Sequence, residues 1–433
     1  MHTFWGITMF IYFLMIRIAA LFGHKKARAL VRGQKGLLAA VNQQKSALSG
    51  AIWIHAASVG EFEQARPIIE KLRANGDKRK IIVTFFSPSG YEARKNYDLA
   101  DAVFYLPFAT RRNAKRFIEA LQPKMAIFVK YEFWPAYIRE LKKRAIPTYS
   151  ICSIFRPKQY FFRWWGKGQL KVLRNFTHLF VQDEASRELL VKHGVQNVTV
   201  AGDTRFDRME NVRNQLSANS HQLSEKLTPI AQFTDECARV IVAGSTWPED
   251  EAMLAQYMVN SEGGVANGKT KLILVPHELN EQHLHYIFNL FQGRFVKYSS
   301  VSGEHLVLPP VSRLNILQRA DVLVVDTIGL LSSIYTFGHV AYIGGGFGDG
   351  IHNTIEAAAY GMPIVFGPNY AIFREAHDLI NAQAARSICN YNELEEELNT
   401  ALDQRAEIGP KAAAYVQAEL GATEKIYKEI FKS

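Results

Sequence analysis

The sequence predicts an α/β protein with two domains, each built on a parallel β-sheet. Three observations predict this class: a length of 433 residues, a series of short apolar runs, and helical stretches between those runs. A chain of this length usually holds two or three domains of about 100–200 residues. Runs of continuous apolar residues are typical of strands that are buried on both faces. Their alternation with helices indicates parallel sheets joined by crossover helices.

The predicted strands form two series along the chain. The first covers residues 51–57, 80–87, 102–107, 125–130, 148–154, 178–183 and 198–202, and the second covers 239–245, 271–276, 321–327, 340–346 and 362–368. We predict helices over 61–73 and 354–360, whereas the polar stretch 206–238 is predicted to be irregular. We therefore expect two Rossmann-like domains, 36–210 and 211–433, that face a central cleft. Their ligands should bind beyond the carboxyl ends of the strands.

The composition excludes several classes of protein. Glycine (29 residues) and proline (15) are near ordinary usage, which excludes collagen-like and low-complexity chains. The hydrophobic content of 48% is ordinary, which excludes a polytopic membrane protein. Cys152, Cys237 and Cys389 lie far apart and form neither a disulfide framework nor a zinc site, which favours a reducing, cytoplasmic setting. A net charge of +10 indicates an anionic partner: nucleic acid, a phosphorylated substrate or a membrane surface.

The N-terminus indicates a membrane anchor over residues 1–35. Residues 4–22 are apolar except for Thr8 and Arg17, and this length is just sufficient for a helix to cross a bilayer. A basic cluster follows, made of His24, Lys25, Lys26, Arg28, Arg32 and Lys35. Positive charge after the apolar run predicts an uncleaved anchor, with the rest of the chain on the cytoplasmic side. The sequence leaves open whether the segment spans the bilayer, lies in its interface or is a buried helix of a soluble domain.

Residues 155–176 combine aromatic and basic side chains. The aromatic ones are Phe155, Tyr160, Phe161, Phe162, Trp164, Trp165 and Phe176. Such a mixture suits the headgroup layer of an anionic membrane or a phosphorylated lipid. It would also suit single-stranded nucleic acid, but no nucleic-acid motif accompanies it, and we predict no nucleic-acid partner. A core helix with a solvated basic face is the alternative interpretation.

Glu61 is the first candidate for catalysis. It lies directly after strand 51–57, where Gly60 allows a tight turn and a helix begins. The helix dipole favours a negative charge at this position, which would keep the carboxyl ionised, as a base requires. The alternative is that Glu61 only complements the helix end.

A glycine-rich loop after strand 340–346 is the second candidate site, and we expect a helix to begin near Asn353. Backbone amides at a helix N-terminus bind anions, and Gly345 and Gly346 belong to this loop. Asn353 and Glu356 share one face of the first turn, where Glu356 can accept hydrogen bonds from a ribose diol. The pattern matches neither a Walker motif nor the dinucleotide fingerprint. Purely structural glycine turns are the alternative.

Other predicted strands also end in polar residues. Ser245 and Thr246 follow one strand and offer hydroxyl and amide groups, and 326–329 follows another. Pro276 and His277 end a third strand. The position of His277 fits a surface residue as well as a residue that contacts a ligand. The chain contains no Asp-x-Asp pair, no His-Glu-x-x-His motif and no paired-cysteine motif, so we predict no metal and no other cofactor.

Taken together, these segments resemble the Kdo transferases, which transfer 3-deoxy-D-manno-octulosonic acid (Kdo) in lipopolysaccharide synthesis. The resemblance covers nearly the whole chain and rests on 58–61, 132–135, 202–207, 244–246, 275–276, 326–329, the motif 352–358 and 367–368, besides the N-terminal anchor. It implies a GT-B fold of two Rossmann-like domains. It also implies inverting transfer of Kdo from CMP-Kdo to the lipid A precursor (lipid IVA), at the cytoplasmic face of the inner membrane.

The resemblance also assigns roles to residues and partners. It implies that Glu61 is the general base that deprotonates the attacking sugar hydroxyl. It implies a CMP site in the second domain, formed by Ser245, Thr246, Pro276, His277, Ile328, Gly329, Leu330, Gly345, Gly346, Asn353 and Glu356. The implied partners are CMP-Kdo, the lipid A precursor and the anionic lipid surface of the inner membrane. The sequence leaves the oligomeric state open.

Three positions depart from the family pattern. Lys130 stands where the family usually has the first Glu of Glu-x-Glu, and Glu132 keeps the second. Arg205 replaces a lysine, and His277 replaces an arginine that follows Val-Pro. Because the family places transition-state groups at the first two positions, Lys130, Glu132 and Arg205 are further catalytic candidates. We expect the donor's phosphate to take its cation from Lys130 or Arg205.

Two other functions fit the same motifs. One is a GT-B glycosyltransferase that uses a UDP-sugar on a lipid-linked acceptor. The other is a catalytically idle homologue that binds lipid A, and the three departures at site positions motivate it. Competition by CMP but not by UDP would separate the first alternative from a Kdo transferase, and an inert Glu61→Gln substitution would favour the second.

Overall fold

The computed structural model describes residues 2–218, 220–235, 237, 239–260, 270–302 and 310–432. It divides into two compact units. Unit 1 comprises the chain up to Arg208 together with the segment from Leu420 to the C-terminus, and unit 2 is Met209–Glu419. The C-terminal helix therefore belongs to unit 1, although the predicted second domain runs to residue 433.

Unit 1 is built on a seven-stranded sheet in which every pairing is parallel. Its strands are β1 (Ile52–Ala56), β2 (Ile81–Phe85), β3 (Ala102–Tyr105), β4 (Met125–Val129), β5 (Thr148–Ser153), β6 (His178–Val181) and β7 (Val198–Val200). Their spatial order is β3-β2-β1-β4-β5-β6-β7. Because strand order reverses between β1 and β4, the carboxyl ends of these two strands flank the point where such sheets bind ligands.

Helices cover both faces of this sheet. They are α1 (His2–Leu21), α2 (Lys25–Gln34), α3 (Leu37–Gln43), α4 (Lys45–Leu48), α5 (Val59–Ala74), α6 (Pro88–Arg94), α7 (Arg111–Leu121), α8 (Pro135–Lys143), α9 (Lys167–Leu173) and α10 (Glu184–Lys192). The last helix of the chain, α21 (Ala422–Phe431), places Ile426, Tyr427 and Ile430 in the core beside α5. This apolar stripe at helical spacing explains why the C-terminus packs on unit 1.

Unit 2 is built on a second parallel seven-stranded sheet, in the order β10-β11-β9-β8-β12-β13-β14. Its strands are β8 (Arg239–Thr246), β9 (Thr270–Pro276), β10 (Phe295–Lys297), β11 (Val322–Val324), β12 (Val340–Ile343), β13 (Ile364–Phe366) and β14 (Ala385–Ser387). The helices of this part of the chain are α11 (Thr204–Ala218), α12 (Ser220–Thr234), α13 (Pro248–Asn260), α14 (Glu281–Leu290), α15 (Pro310–Arg319), α16 (Leu331–Ile334), α17 (Ile355–Ala359), α18 (Arg374–Asn381), α19 (Tyr391–Asp403) and α20 (Arg405–Ala418).

The predicted α/β class with two Rossmann-like halves is confirmed. All of the predicted strands are present, and the helices predicted over 61–73 and 354–360 correspond to α5 and α17. The sequence missed β10 and β14, which are the two edge strands of the second sheet. Each has three residues and includes polar side chains, so no apolar run stands out as it does at the equally short β11 and β13.

The prediction that residues 206–238 are irregular is wrong. Helices α11 and α12 occupy most of this stretch. Leu227, Ile230 and Phe233 are buried at helical spacing on α12, whereas the polar residues between them obscure the pattern in the sequence.

Helix α1 occupies the predicted anchor segment, and its side chains are described at position 9 and from 11 onward. Met9 and Phe13 are buried in the core of unit 1, whereas Met15 is 63% exposed and Leu21 81% exposed. Among the residues that the structure describes, no helix is both long enough and apolar enough to span a membrane. The membrane anchor therefore stays a prediction.

The segment 155–176 lies mostly in the core. Phe155, Phe161 and Phe176 are buried in unit 1, and Trp164 is 83% exposed. The side chain of Trp165 lies outside the described residues. The prediction that these aromatic rings form a headgroup-binding surface is therefore wrong for the three buried phenylalanines, because they fill the space beside β4, β5 and α8.

Candidate active site

Glu61 lies in the first turn of α5, directly after the central strand β1. The Ser58 side chain caps the helix by accepting a hydrogen bond from the Glu61 amide at 3.4 Å. In return, the Glu61 carboxylate accepts a hydrogen bond from the Ala57 amide at 2.6 Å. This is a reciprocal Ser-x-x-Glu arrangement at a helix start, so the side chain does complement the helix end.

The electrostatics of Glu61 go beyond a capping role. Burial and the nearby Glu132 carboxylate raise the pKa of Glu61 to about 7, against the lowering effects of the Ala57 amide, Lys130 and the Ser58 amide. A carboxyl group with a pKa near the operating pH can both take up and release a proton, which is what general acid–base catalysis requires. The expectation that the helix end alone keeps Glu61 ionised is incomplete, because burial opposes ionisation.

Glu132 follows β4, the strand beside β1, and its carboxylate is held by two rings. Its Oε2 lies 2.9 Å from Nε2 of His55 and accepts a hydrogen bond from the Trp134 indole at 2.5 Å. His55 is fully buried on β1. The structure thus brings Glu61 and Glu132 together at the carboxyl ends of β1 and β4, as the sequence predicted for strand-end residues.

Lys130 lies at the same edge and has a strained backbone. Its φ of 58° is in the left-handed region, and its carbonyl accepts a hydrogen bond from the Ser153 hydroxyl at 2.8 Å. The positive charge of Lys130 lowers the pKa of both Glu61 and Asp203. Lys130 is therefore within electrostatic range of the candidate base and of a second carboxylate.

Arg205 is committed to a buried ion pair. Its guanidinium donates to Oδ2 of Asp203 at 2.8 and 3.0 Å, and Gln64 and Gln182 donate to the same oxygen. Burial alone would raise the pKa of Asp203, but Arg205 together with Lys130 brings it below its usual value. In this arrangement Arg205 primarily stabilises the buried Asp203 carboxylate. We therefore consider Lys130 the cation that is more available to a ligand.

The glycine-rich loop of unit 2 is anchored to the first turn of α13. The Asp250 carboxylate accepts hydrogen bonds from the Gly345 and Trp247 amides and from the Tyr342 hydroxyl. A Cβ at Gly344 would lie 2.4 Å from the Ser245 carbonyl oxygen, so the loop packs directly against the end of β8. A Cβ at Gly346 would meet the backbone of Gly367 in the same way.

Internal hydrogen bonds leave fewer backbone amides of this loop available to bind an anion than the sequence predicted. The amides of Gly344, Gly348, Gly350 and His352 donate to carbonyls of the loop or of β8. The following helix, α17, begins at Ile355, later than expected, and has only five residues. Its dipole therefore contributes little to anion binding.

Ser245 and Thr246 differ in what they can offer a ligand. The Thr246 hydroxyl is fully buried and donates to Glu251 at 2.9 Å, so it serves the fold. Glu251 in turn lies 2.8 Å from Nε2 of His283. Ser245 is partly exposed and has a φ of 57°, a backbone conformation that the tight packing of this strand end imposes.

Pro276 and His277 end β9, and His277 belongs to a cluster of three rings. It stacks on His352, with ring centroids 4.3 Å apart, and on Trp247, with centroids 4.9 Å apart. The Trp247 indole donates to Nε2 of His352 at 3.1 Å, which places the His352 proton on Nδ1. The cluster lies at the ends of β8, β9 and β12, where the CMP site is predicted.

Asn353 and Glu356 are brought together as predicted. The Asn353 side chain donates to Glu356 at 3.0 Å, and the Ser332 hydroxyl donates to the other carboxylate oxygen at 2.7 Å. Ser332 lies on α16, close to Ile328, Gly329 and Leu330 in the chain. Both oxygens of Glu356 thus already accept a hydrogen bond, and a ribose hydroxyl would share them.

Residues 328–330 form an exposed turn beside a pocket. Ile328 is 92% exposed, and Gly329 has a φ of 91° that a glycine adopts without strain. Ile328 and Leu330 line a pocket of about 710 Å³ together with Thr327, Tyr298 and Arg313 and other residues. Within the described residues, no group of three or more His, Cys, Asp or Glu side chains is arranged to hold a metal ion.

The comparisons with known proteins agree with the resemblance seen in the sequence. Residues 27–208, nearly the whole of unit 1, match the family model for 3-deoxy-D-manno-octulosonic-acid transferase. The Kdo transferase of Aquifex aeolicus is 27% identical over 366 residues, which cover 83% of this chain and 88% of that protein. The Kdo transferase of Rickettsia bellii is 25% identical over 402 residues, which cover 91% and 88%.

The chain resembles the Kdo transferases over most of its length.

This resemblance supports glycosyltransferase activity. Comparison of structures supports the fold separately. The UDP-GlcNAc 2-epimerase of Neisseria meningitidis superposes with a TM-score of 0.61, at 14% identity, over 88% of this chain and all of that one. A glycosyltransferase of Rickettsia africae superposes with a TM-score of 0.53 at 12% identity, over 89% of this chain and 99% of that one. At these identities the likeness concerns the fold alone.

Sequence reasoning missed several residues of the candidate site. His55 and Asp203 hold Glu132 and Arg205, and His352 and Trp247 pack around His277. His55 was hidden inside an apolar strand, although its spacing of two from Trp53 places both rings on one face of β1. Asp203, Trp247 and His352 lie within motifs that the sequence did single out, but nothing in the sequence showed which partner each would bind.

Proposed function

We propose that this protein, which resembles the Kdo transferases, transfers Kdo from CMP-Kdo to the lipid A precursor lipid IVA. The transfer inverts the anomeric centre and needs no metal ion. One observation carries the proposal: Glu61, at the position of the family's base, has a pKa of about 7 that burial and Glu132 produce. A half-buried carboxyl group with this pKa is suited to accept a proton from a sugar hydroxyl near neutral pH.

In the proposed reaction, Glu61 accepts the proton of the attacking acceptor hydroxyl. The hydroxyl oxygen forms a bond to the anomeric carbon of Kdo as the bond from that carbon to the CMP phosphate oxygen breaks. CMP leaves with the electron pair of the broken bond. Hydrogen-bond donors and cations that stabilise the departing phosphate lower the barrier, and Lys130 is the cation on unit 1 that we propose for this role.

We assign the CMP moiety to unit 2. The stacked rings of His277 and His352, the Asn353–Glu356 pair and the turn 328–330 with its pocket supply apolar, hydrogen-bonding and diol-binding surfaces. A nucleotide site needs these chemical properties together. Ser245, Gly345 and Gly346 border the same strand ends and complete the proposed site.

We further propose that the chain acts at the cytoplasmic face of the inner membrane. On α1 the exposed apolar side chains include Met15, Ile18 and Leu21, and the exposed basic residues Lys25 and Lys26 follow on α2. Apolar burial together with cations is the combination that binds anionic lipid surfaces. Flotation of the protein with vesicles of anionic lipid tests this, and Met15→Glu with Ile18→Glu should abolish it.

The experiment that tests the function is a reconstituted transfer assay. Purified protein in detergent receives CMP-Kdo made in situ, tetra-acylated lipid A precursor and EDTA, and the products are measured by mass spectrometry. A mass increase of one or more Kdo units supports the proposal. Transfer from a UDP-sugar only would support the other glycosyltransferase. Binding of lipid A without transfer from any donor would support the idle homologue.

A further inference from the structure

His55 is a fully buried histidine in the otherwise apolar strand β1. Trp53 lies two residues earlier, so both rings project from the same face of the strand. Both contact Thr84 on the neighbouring strand β2: the Trp53 indole donates to the Thr84 hydroxyl at 2.9 Å, and Nδ1 of His55 lies 2.9 Å from the same hydroxyl. A polar network at the centre of a sheet is costly unless every member has a partner.

The contacts of Nδ1 fix one proton of His55. Nδ1 lies 3.0 Å from the backbone carbonyl oxygen of Thr84, which can only accept hydrogen bonds. A lone pair on Nδ1 at this distance would face a lone pair on the oxygen. Nδ1 therefore carries a hydrogen and donates it to Thr84.

The contacts of Nε2 require a second proton. Nε2 lies 2.9 Å from Oε2 of Glu132, and the Trp134 indole donates to that oxygen at 2.5 Å. The same indole N–H also points towards Nε2 at 3.2 Å, a longer contact than its 2.5 Å hydrogen bond to Oε2, which we take as its main acceptor. Without a proton between Nε2 and Oε2, two lone pairs would face each other in a buried site, which is strongly unfavourable.

We propose that His55 is a positioning residue that holds Glu132 and shares one proton with its carboxylate, so that the pair has no net charge beside Glu61. Its effect on catalysis rests on the proposed function, whereas the shared proton is a property of the fold. The pair matters for the reaction because the Glu132 charge is one of the causes that raise the pKa of Glu61.

The other charged and titratable groups around this pair come from several elements. Lys130 follows β4 and lowers the pKa of Glu61. Tyr12 on α1 and Tyr160 after β5 have raised pKa values, first through burial and then through Glu132, so both phenols stay protonated near pH 7. His55 is thus the group of this set that can neutralise Glu132 from within the sheet.

The first test observes the proton directly and needs no substrate. In the full-length protein with ¹⁵N-labelled histidine rings, the account predicts a downfield proton signal on Nε2 of His55 that exchanges slowly with water. Both His55→Gln and Glu132→Gln should abolish it, and Glu132→Gln should leave the Nδ1–H signal in place. The proposal would be overturned if the wild type lacked the Nε2 proton signal, or if Nδ1 carried no hydrogen.

The second test uses the pH dependence of kcat/KM, measured in the transfer assay. His55→Gln keeps a hydrogen-bond donor near Glu132 but cannot share a titrating proton, so Glu132 is left as an anion beside Glu61. The acid limb of the profile should then move up by about 1 pH unit. Glu132→Gln also leaves no net charge beside Glu61, so its limb should stay near the wild-type position. An unmoved limb in His55→Gln, or a limb in Glu132→Gln that moves down by a similar amount, would contradict the proposal.

A matched control is available on β6. Nε2 of His178 lies 2.8 Å from the Thr199 hydroxyl, and the residue has no place in the proposed site. His178→Gln should therefore keep the wild-type profile. If the wild-type protein transfers no Kdo, the proposed function fails, and the nuclear magnetic resonance experiment alone then decides on His55.

Discussion

The imidazole rings of His277 and His352 lie face to face, with centroids 4.3 Å apart and planes 23° apart. Burial lowers the pKa of His277, and burial followed by the neighbouring His277 lowers the pKa of His352 to about 4. Both rings are therefore largely neutral near pH 7. The strand end that carries an arginine in the pattern of the Kdo transferases thus has no full positive charge in this chain.

Restoring the arginine should tighten the binding of CMP. A guanidinium at position 277 can keep the stack on Trp247, because arginine packs flat on aromatic rings, and it adds a permanent charge for the phosphate. We expect His277→Arg to lower the dissociation constant for CMP by about tenfold, which corresponds to one charge-assisted hydrogen bond. Isothermal titration calorimetry measures this. His277→Gln is the neutral control, and equal affinity of both variants would contradict the assignment of the phosphate to this strand end.

The His352 ring should make the protein sensitive to acid. Its pKa is depressed in the folded state, from 6.5 to about 4. The stability that it contributes is therefore present above pH 6.5 and is lost as the pH falls towards 4. Urea unfolding at pH 7 and pH 4.5 should show a loss in the wild type that is smaller in His352→Gln, by about 2 kcal/mol. The exposed His285 provides the control, and a smaller loss in His285→Gln as well would rule out this explanation.

Substitution by alanine should change the stability of the protein by different amounts at two glycines of the same loop. Gly345 has a φ of 89°, and a Cβ there would lie 2.6 Å from the Gly350 carbonyl oxygen. Gly345→Ala should destabilise unit 2 by about 2–4 kcal/mol. At Gly348 the nearest heavy atom to a Cβ is 3.8 Å away, so Gly348→Ala should stay within about 0.5 kcal/mol of the wild type. Chemical denaturation compares them, and equal losses would show that the loop is not packed as described.

The ammonium of Lys130 should contribute to donor binding. We expect Lys130→Ala to raise the KM for CMP-Kdo by about 10-fold or more, because it removes a charged hydrogen-bond donor. Lys130→Gly separates this charge from backbone strain, since glycine adopts a φ of 58° without cost. The glycine variant should therefore be as stable as the wild type or more stable, and still show the raised KM. An unchanged KM in both variants would leave Arg205 as the candidate cation of unit 1.

Much of the fold could be predicted because both sheets are parallel and buried. Strands covered on both faces must be apolar throughout, and this makes runs such as Ile81–Phe85 visible in a single sequence. The edge strands β10 and β14 lack that signal because they are short and include polar residues. Helices α11 and α12 were missed because most of their residues are polar.

The candidate site could be predicted only in part. Glu61 was found because a turn at Gly60 and the start of a helix directly follow a buried strand. The partner of Glu132 could not be found, because His55 reaches it from a distant position in the chain. Asp203 lies only two residues before Arg205, within a motif that the sequence singled out, but nothing there showed that the two side chains form an ion pair. Hydrogen bonds between side chains more than 70 residues apart, such as His55 with Glu132, leave no pattern in one sequence.

The central claim is that Glu61 is the base of a Kdo transfer, and the rate of the Glu61→Gln variant tests it most directly. Glutamine keeps the shape of the side chain and its contact with the Ala57 amide, but it cannot accept the proton. With CMP-Kdo and lipid IVA at saturation, measured by mass spectrometry at pH 8, the account predicts Kdo transfer by the wild type and a kcat about 10²–10⁴-fold lower in Glu61→Gln. Transfer by both proteins at the same rate would contradict the account.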